Sequence, residues 1–223
     1  MTEQSDNYRE DISRAIWGLP GEHAFFIRAK AEKVEALALR FHADSIVRVL
    51  DVGCGAGLVE QYLRIPNSEI TGLDVAEPLL EKARKNVPGC RFTCFDGKKI
   101  NAEDNTYHLV FAINVFHHID MKDRMRLLME MCRVLRPGGQ LALFEHNFWH
   151  PITRFVVSRC AFDRNAVLLS RSNACSMLRM VNLQHIKSSY IIFIPWSIGI
   201  NRVLERVLGW FPLGVQYYAT GIK

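Results

Sequence analysis

The segment Val49-Leu50-Asp51-Val52-Gly53-Cys54-Gly55-Ala56-Gly57 joins an apolar run to a helix-prone one. Residues 46–52 are rich in β-branched side chains, which predicts a buried strand, and residues 58–64 predict a helix. The three glycines allow the backbone to turn sharply and to approach a ligand closely, because no Cβ is in the way. The N-terminus of the predicted helix would add unpaired amides, which suit a carboxylate or a phosphate.

Strands and helices continue to alternate after this turn. Strands are predicted over 69–75, 90–95, 108–115 and 140–145, and helices over 77–86 and 121–135, the second capped by Asp120. Before the turn, apolar residues recur at helical spacing over 22–42, which predicts one amphipathic helix. This alternation indicates a doubly wound α/β fold, in which helices cover both faces of a mostly parallel sheet.

The pattern changes after Glu145. A segment containing Trp149, Pro151 and Phe162 leads to a helix that Ser170 caps and that ends near Val181, and we interpret it as a cover over a ligand. Strands are predicted over 188–194 and 215–222, on either side of a helix over 200–211. On this helix one apolar face, opposite Arg202, Glu205 and Arg206, is formed by Ile200, Val203, Leu204, Val207, Leu208 and Phe211. It is expected either to pack on the core or to lie at a membrane.

The composition fits one domain with one core, because 49% of the 223 residues are hydrophobic. Six scattered cysteines are expected to be reduced, and no metal site is expected because Cys90 and Cys94 lack a second ligand pair. The polar, acidic segment 1–10 lacks the features of a secretory signal, so a cytoplasmic location is expected. The apolar run 190–200 contains Pro195 and is too short to span a bilayer.

The net charge of +5 is unevenly distributed. Residues 1–144 carry 19 basic and 20 acidic side chains, whereas residues 145–223 carry 9 basic and 3 acidic ones. The basic C-terminal part has two interpretations: it attracts a phosphate, a carboxylate or a membrane surface, or its arginines are simply solvated.

Two carboxylates follow the glycine turn at the ends of the next two strands. Asp74, about twenty residues beyond the turn, is placed to accept hydrogen bonds from ribose hydroxyls. Asp96, in Phe95-Asp96-Gly97, is placed to receive an adenine amino group. Taken singly, Asp74 is also explained as a helix cap and Asp96 as a turn residue. Because parallel strands end at one edge of a sheet, the three features together predict a crevice shaped for an adenosyl group.

These residues carry a family resemblance. Segments 49–57, 70–75, 93–97, 110–118 and 134–145 resemble the successive motifs of class I S-adenosylmethionine-dependent methyltransferases of the small-molecule type. The resemblance covers roughly residues 45–147 and implies a seven-stranded, Rossmann-like sheet whose last strand is antiparallel. It also implies S-adenosyl-L-methionine as cofactor.

The resemblance implies a role for each matching position. Asp51 and the turn residues Gly53, Cys54, Gly55 and Gly57 would hold the methionine moiety, Asp74 with Val75 the ribose, Asp96 with Gly97 the adenine, and Asn114 with Val115 would line the reacting sulfonium. The single domain 1–223 would then comprise an N-terminal helical cap (1–44), a cofactor-binding core (45–147), an acceptor-covering insertion (148–187) and a C-terminal strand pair with a helix (188–223).

Histidines follow two of the predicted strands. His117 and His118 come after the fourth strand, and His146 lies beside Glu145 at the end of the fifth. Methylation of a hydroxyl requires removal of its proton, which an imidazole can accept at neutral pH, and a neighbouring carboxylate would raise its basicity. We therefore expect His118 or His146, with His117 as a third candidate, to be the base. The alternative is that one of the paired histidines packs or caps the following helix.

The acceptor is expected to be a small molecule rather than a nucleic acid. Methyltransferases of nucleobase amines have an Asn or Asp, Pro, Pro, aromatic run after the fourth strand, whereas Asn114-Val115-Phe116-His117 has no proline. O-methylation of a sugar, phenol or secondary metabolite, free or lipid-linked, is the favoured function, with peripheral membrane contact through 200–211 as one option. The alternatives are N- or C-methylation of a small metabolite, a catalytically silent S-adenosylmethionine-binding protein, and a nucleotide-dependent oxidoreductase. Leu58 disfavours the oxidoreductase, because the nicotinamide-binding fingerprint needs Gly or Ala at that position.

Overall fold

The computed structural model describes residues 23–41, 46–159, 166–194 and 198–223. The acidic segment 1–10, both ends of the predicted helix 22–42, and Cys160, Phe162 and Pro195 lie outside these residues. The described elements are, in chain order, α1 (His23–Ala38), β1 (Val47–Val52), β2 (Ser68–Asp74), α2 (Glu77–Asn86), β3 (Arg91–Cys94), β4 (Tyr107–Ile113), α3 (Met121–Val134), β5 (Leu135–His146), α4 (Pro151–Arg159), α5 (Arg171–Met180), β6 (Gln184–Ile191), α6 (Ile198–Leu208) and β7 (Gln216–Ile222).

The described residues form one seven-stranded sheet with the strand order β3-β2-β1-β4-β5-β7-β6. Strands β1 to β5 are parallel, and β7 is antiparallel to both β5 and β6. This confirms the predicted Rossmann-like fold with an antiparallel last strand. The strand order reverses between β1 and β4, so the crevice typical of such sheets opens at the carboxyl ends of these strands.

The sheet is covered on both faces because its central strands are apolar on both sides. One face packs on α3 and α5 through Leu50, Val52, Val110, Ala112, Leu141 and Leu143. The other packs on α1 through Val47, Val49, Leu109, Phe111, Ala142 and Phe144. Within the segment predicted as an acceptor cover, α5 belongs to the first of these cores, since Ala174 and Leu178 are fully buried.

The helix predicted over 58–64 is wrong. The segment consists of turns and a single 3-10 turn, Glu60–Tyr62. Pro66 leaves too few residues for a helix, because it disfavours helical backbone at Ile65. The amide of Gly57 donates to the carbonyl of Cys54 at 3.1 Å, so this turn satisfies one of its own donors instead of offering a helix N-terminus.

Both predicted helix caps occupy the expected positions, but only one makes the bond. Ser170 precedes α5, and its Oγ accepts the amide of Asn173 at 3.1 Å, which confirms the prediction. Asp120 precedes α3 without a side-chain cap hydrogen bond. Among the described residues, no helix is both long enough and apolar enough to cross a membrane.

Helix α6 is rotated from its predicted orientation. Glu205 was expected on the solvent side, yet its Oε1 accepts the amide of Ile192 at 3.1 Å and its Oε2 lies 2.5 Å from Nζ of Lys33. These inward polar contacts split the predicted apolar face. Leu204 and Leu208 are half-buried, whereas Val203 and Val207 are exposed.

Candidate cofactor and acceptor site

The glycine turn after β1 combines two packing positions with one open position. Gly53 and Gly57 have φ of +87° and +72°, and a Cβ there would lie 2.4 Å from Val115 Cγ2 and 3.1 Å from Ala83 Cβ, respectively. Gly55 has φ of +54°, and a Cβ there would meet no heavy atom within 4 Å. The turn therefore needs glycine for packing at its two ends and leaves free space above its centre.

Asp74 braces this turn. Its Oδ2 accepts the amide of Gly55 at 2.8 Å, and its Oδ1 accepts the amide of Ala76 at 2.9 Å. A carboxylate has about four lone-pair sites, so two of them remain for ligand hydroxyls. Asp74 thus fixes the open part of the turn and keeps the capacity that the sequence predicts for it.

The end of β3 places Asp96 and Gly97 beside Val75. Oδ1 of Asp96 accepts the amides of Lys98 and Lys99 at 2.8 and 2.7 Å, and these two backbone hydrogen bonds lower the pKa of Asp96. The turn interpretation therefore holds, and Oδ2 is left for a ligand. Val75 is 61% exposed and lies against Gly97, where a Cβ would be 3.3 Å from Val75 Cγ1. An exposed valine beside a carboxylate suits an apolar ring with a polar edge.

Asn114 closes the other side of the crevice in a strained conformation. It has φ of +57°, and its amide donates to the carbonyl of Phe144 at 2.8 Å, which ties the end of β4 to β5. Its Oδ1 is buried and has no hydrogen-bond partner among the described residues. Buried acceptors are rarely left unsatisfied, so this atom points to a ligand donor.

A buried carboxyl pair lies beneath the turn. Asp51 and Glu60 are each 2% exposed, and no donor among the described residues reaches Asp51 Oδ1 or either carboxyl oxygen of Glu60. Burial, followed by the negative charge of Glu60, raises the pKa of Asp51 well above its usual value, and burial also raises the pKa of Glu60. The pair is therefore suited to a cationic ligand group or to a shared proton.

A buried lysine on α1 interacts with Asp51 and with a second carboxylate, Glu145. Lys30 is 7% exposed, and burial lowers its pKa to about 8 against the opposing charges of Glu145 and Asp51. Sequence reasoning missed both Lys30 and Glu60. A signal existed for Lys30, since it lies on the buried side of α1 with Ile27 and Val34. Glu60 gave none, because its burial beside Asp51 depends on how the turn folds.

The three candidate histidines lie together at the ends of β4 and β5. The rings of His117 and His118 are 4.0 Å apart between centroids, and those of His117 and His146 are 5.2 Å apart. Nδ1 of His117 lies 2.5 Å from Oε2 of Glu145, and both side chains are 1% exposed. Oε1 of Glu145 accepts the amide of Phe116 at 2.8 Å. Burial would raise the pKa of Glu145, but His117, His146 and this amide lower it.

This arrangement corrects the expected partnership of Glu145. The carboxylate bonds His117, twenty-eight positions earlier in the chain, rather than its neighbour His146. His146 is half-buried, and its Nδ1 lies 3.5 Å from Nε2 of Gln216, while His118 is exposed. His117 is thus the histidine that packs, and His118 and His146 have the accessible rings.

Two further predicted positions are located by the structure. The side chain of Cys54 packs with Leu80, Ala83 and Phe92, so only its backbone can reach a ligand, and burial raises the pKa of its thiol. Val115 lies against Gly53 and lines the turn. Five cysteines within the described part of the chain are free thiols. The same part of the chain contains no group of three or more side chains that could hold a metal ion.

The residues present fit S-adenosylmethionine. Open space lies above Gly55, and orphaned buried acceptors belong to Asp51, Glu60 and Asn114. These acceptors suit an amino group and a sulfonium cation, and Asp74 and Asp96 stand at the next two strand ends. Residues 49–139 match the family model described as a methyltransferase domain. The matched segment is about two fifths of the chain, and this segment and the fold are similar to those of the class I S-adenosylmethionine-dependent methyltransferases.

Known proteins similar to this chain have different acceptors in their names. "Probable tRNA methyltransferase 9B" of Mus musculus is 35% identical over 126 residues, which are 55% of this chain and 27% of that protein. "Ubiquinone biosynthesis O-methyltransferase" of Vibrio cholerae is 27% identical over 154 residues, 67% of this chain and 60% of that protein. The chain thus spans between about a quarter and three fifths of these relatives' lengths.

The fold also matches solved structures. A SAM-dependent methyltransferase from Thermotoga maritima superposes with a TM-score of 0.65 at 19% identity, over 89% of this chain and 92% of that one. S-adenosyl-L-methionine is the methyl donor of the family. The fold and the donor are therefore common to the family, whereas the acceptor differs among its members.

Proposed function

We propose that this methyltransferase transfers a methyl group from S-adenosylmethionine to a hydroxyl group of a small molecule, such as a sugar, a phenol or a secondary metabolite. The observation that carries the proposal is the buried Glu145–His117 pair with His118 and His146 beside it. O-methylation needs a proton acceptor beside the acceptor hydroxyl, and the histidines supply one at the edge of the crevice.

The cofactor-holding residues would act by charge and by shape. The backbone around Gly55 gives access, Asp74 has lone pairs for the ribose, and Asp96 has one for the adenine. Asp51 and Glu60 oppose the positive charge of the ligand beneath the turn. When bound, S-adenosylmethionine supplies a methyl group made electrophilic by its sulfonium.

The histidine cluster would position and deprotonate the acceptor. Glu145 holds Nδ1 of His117, which fixes that ring, and His117 in turn packs against both neighbouring imidazoles. We assign proton removal to His118 or His146, since their rings are the accessible ones. Alignment of the hydroxyl in the crevice would supply the rest of the rate enhancement.

The relatives support the reaction more than the acceptor. One similar protein is named as an O-methyltransferase, and another is named as a tRNA methyltransferase. The absence of proline in Asn114-Val115-Phe116-His117 favours a small acceptor over a nucleobase. The chain covers only part of these relatives, so their acceptors do not carry over to it.

The test is a screen for S-adenosylhomocysteine formation. The protein would be incubated with S-adenosylmethionine and with sugars, phenols, hydroxylated secondary metabolites, lipid extracts or bulk tRNA, and products would be identified by mass spectrometry. We expect methylation of a hydroxyl-bearing small molecule. Methylation of tRNA alone, or of a nitrogen or carbon atom, would contradict the proposal.

The histidine assignment has its own test. His118→Gln and His146→Gln, singly and combined, should lower kcat by about 100-fold for the base and leave the affinity for S-adenosylmethionine unchanged. His185→Gln is the matched control, since His185 lies in β6, away from the crevice edge. Turnover of the double variant at the wild-type rate would exclude both histidines.

A further inference from the structure

Helix α6 turns an apolar stripe toward solvent. Val203 and Val207 are 63% and 62% exposed, and Ile200, on the same side of the helix, is 50% exposed. The rotation of the helix is set by polar contacts on its other side. Oδ1 of Asn201 accepts the amides of Phe193 and Ile194 at 2.7 and 2.9 Å. The carboxylate of Glu205 accepts the amide of Ile192 and pairs with Lys33. The apolar stripe is thus held outward.

The stripe continues beyond the end of the helix. Trp210 is 68% exposed, and its indole N–H donates to the carbonyl of Val207 at 3.1 Å, which fixes the ring over the last turn. Its ring meets Phe211 edge to face at 5.2 Å, and Leu213 is 53% exposed. We call Ile200, Val203, Val207, Trp210 and Leu213 the apolar ridge.

The outward charge next to the apolar ridge is positive. Arg202 and Arg206 lie one turn apart along its flank, and both are exposed. Arg202 pairs with Glu32 at 2.9 Å, whereas no carboxylate of the described residues lies within ion-pair distance of Arg206. Glu205 is the one acidic residue in the sequence from 198 to 216, and it faces inward to Lys33.

The apolar ridge adjoins the catalytic edge of the sheet. Asn147 follows β5 directly, and its Nδ2 donates to the carbonyls of Pro212 and Gly214 at 3.0 and 2.8 Å. Trp149, two residues further, is 68% exposed. Hydrogen bonds therefore tie the segment after His146 to Pro212 and Gly214, the residues on either side of Leu213.

We propose that the apolar ridge and Arg206 bind the surface of a membrane that contains anionic phospholipids, with α6 parallel to the bilayer. An amphipathic helix with a cationic flank is the usual form of an interfacial segment, and tryptophan is enriched at the depth of the headgroups. Lipid phosphates would provide the anions that Arg206 lacks among the described residues.

A bilayer fits this surface better than a second copy of the chain does. A two-fold interface centred on the apolar ridge would bring the same patch of both copies together and would place Arg206 of one copy near Arg206 of the other. Like charges so placed are repulsive, whereas an anionic lipid surface attracts them.

The consequence for the acceptor rests on the proposed function. A bound membrane would lie beside the crevice mouth at Asn147, so an amphipathic or lipid-linked hydroxyl could reach the histidines without leaving the bilayer. Membrane binding itself is independent of methyl transfer, because it requires neither cofactor nor acceptor.

The experiment is co-sedimentation of the full chain with vesicles of phosphatidylcholine, with and without phosphatidylglycerol, in the absence of S-adenosylmethionine. We expect binding to the anionic vesicles that weakens with added salt. The Val203→Ser/Val207→Ser variant should lose about tenfold in partitioning, and Arg206→Gln about fivefold. Trp210 should be quenched by brominated lipid, and Trp210→Phe should remove most of that quenching.

Matched controls are available elsewhere on the surface. Met129 and Met180 are 54% and 69% exposed, on α3 and α5, and a Met129→Ser/Met180→Ser variant should bind vesicles as the wild type does. Circular dichroism and thermal melting would show that each variant is folded.

Three results would overturn the proposal. The first is no binding of the folded protein to anionic vesicles. The second is binding that is equal on uncharged vesicles or that the Val203→Ser/Val207→Ser variant retains in full. The third is a concentration-dependent dimer, seen by light scattering, that this variant dissociates, because the ridge would then be covered by a second copy.

Discussion

We expect the buried carboxyl pair of Asp51 and Glu60 to favour cofactor binding at the expense of stability. Two buried carboxyls with unsatisfied oxygens destabilise the folded chain, because ionisation of both is opposed by burial and by their mutual repulsion. A cationic ligand group beside them would relieve this repulsion. Such strain is common where a site must hold charge.

Replacing Asp51 by Asn should therefore stabilise the folded protein and weaken cofactor binding. Since the folded-state pKa of Asp51 is raised, the wild type loses stability as pH rises from the unfolded-state pKa, about 4, to the higher folded-state value. The free energy of unfolding of Asp51→Asn should exceed that of the wild type by an amount that grows across this pH window to about 1–3 kcal/mol. Urea unfolding at several pH values measures it, and a variant less stable at every pH would contradict the account.

Replacing Glu145 by Gln should have the opposite effect on stability. The pKa of Glu145 is lowered in the folded state, so its contribution is present above the ordinary glutamate pKa and is lost as pH falls through the folded-state value. Removing one partner of this buried pair should cost about 3 kcal/mol at neutral pH. The difference between wild type and variant should shrink in acid, and an unchanged difference would show that the Glu145–His117 bond is not the cause.

At the scale of elements, the glycine turn separates packing from binding. Gly55 and Gly138 both have positive φ, +54° and +75°, and a Cβ at either would meet no heavy atom within 4 Å. Replacing either glycine by alanine should thus lower the free energy of unfolding by about 1 kcal/mol through backbone strain alone. Only Gly55→Ala should also weaken S-adenosylmethionine binding, by about tenfold or more, because its Cβ enters the open space. Equal affinities in calorimetry would place the ligand elsewhere.

The cap of α5 allows a simpler test of the fold. Ser170→Ala removes the hydrogen bond to the amide of Asn173 and should lower the free energy of unfolding by about 1 kcal/mol. Asp120→Ala, at a cap position whose side chain makes no such bond, should lower the free energy of unfolding by clearly less. Thermal melts of the two variants compare them directly, and an equal loss would mean that the Ser170 bond contributes little.

Elements with strong local patterns could be predicted from the sequence. The sequence predicted helix α2 (Glu77–Asn86) and the strands around Asp51 and Val110, because alternation and turn residues are local properties. The helix expected after Gly57 does not form. Pro66 shortens the segment, and the segment folds into turns that bury Glu60. The partner of Glu145 was also missed, because His117 reaches it only when β4 and β5 pair. The orientation of α6 depends on Lys33 and Ile192, which no local pattern reveals.

At the scale of the whole molecule, one edge of the sheet gathers the open turn, two strand-end carboxylates, the orphaned acceptors and the histidines. This edge lies where the strand order reverses, between β1 and β4. The exposed apolar ridge borders it from the C-terminal part, together with Arg206, which has no ion-pair partner among the residues that the structure describes. In our proposal this edge holds the cofactor in the crevice between β1 and β4 and receives the acceptor beside the histidines.

The most direct test of this account is a calorimetric titration of the protein with S-adenosylmethionine and with S-adenosylhomocysteine. Two variants of β2 serve as a pair: Asp74→Ala at the crevice, and Glu69→Ala, whose exposed carboxylate pairs with Arg48 at 3.2 Å on the surface. The account predicts that the wild type and Glu69→Ala bind both ligands with similar affinity and that folded Asp74→Ala loses binding. Absence of binding by the folded wild type, or full binding by Asp74→Ala, would contradict it.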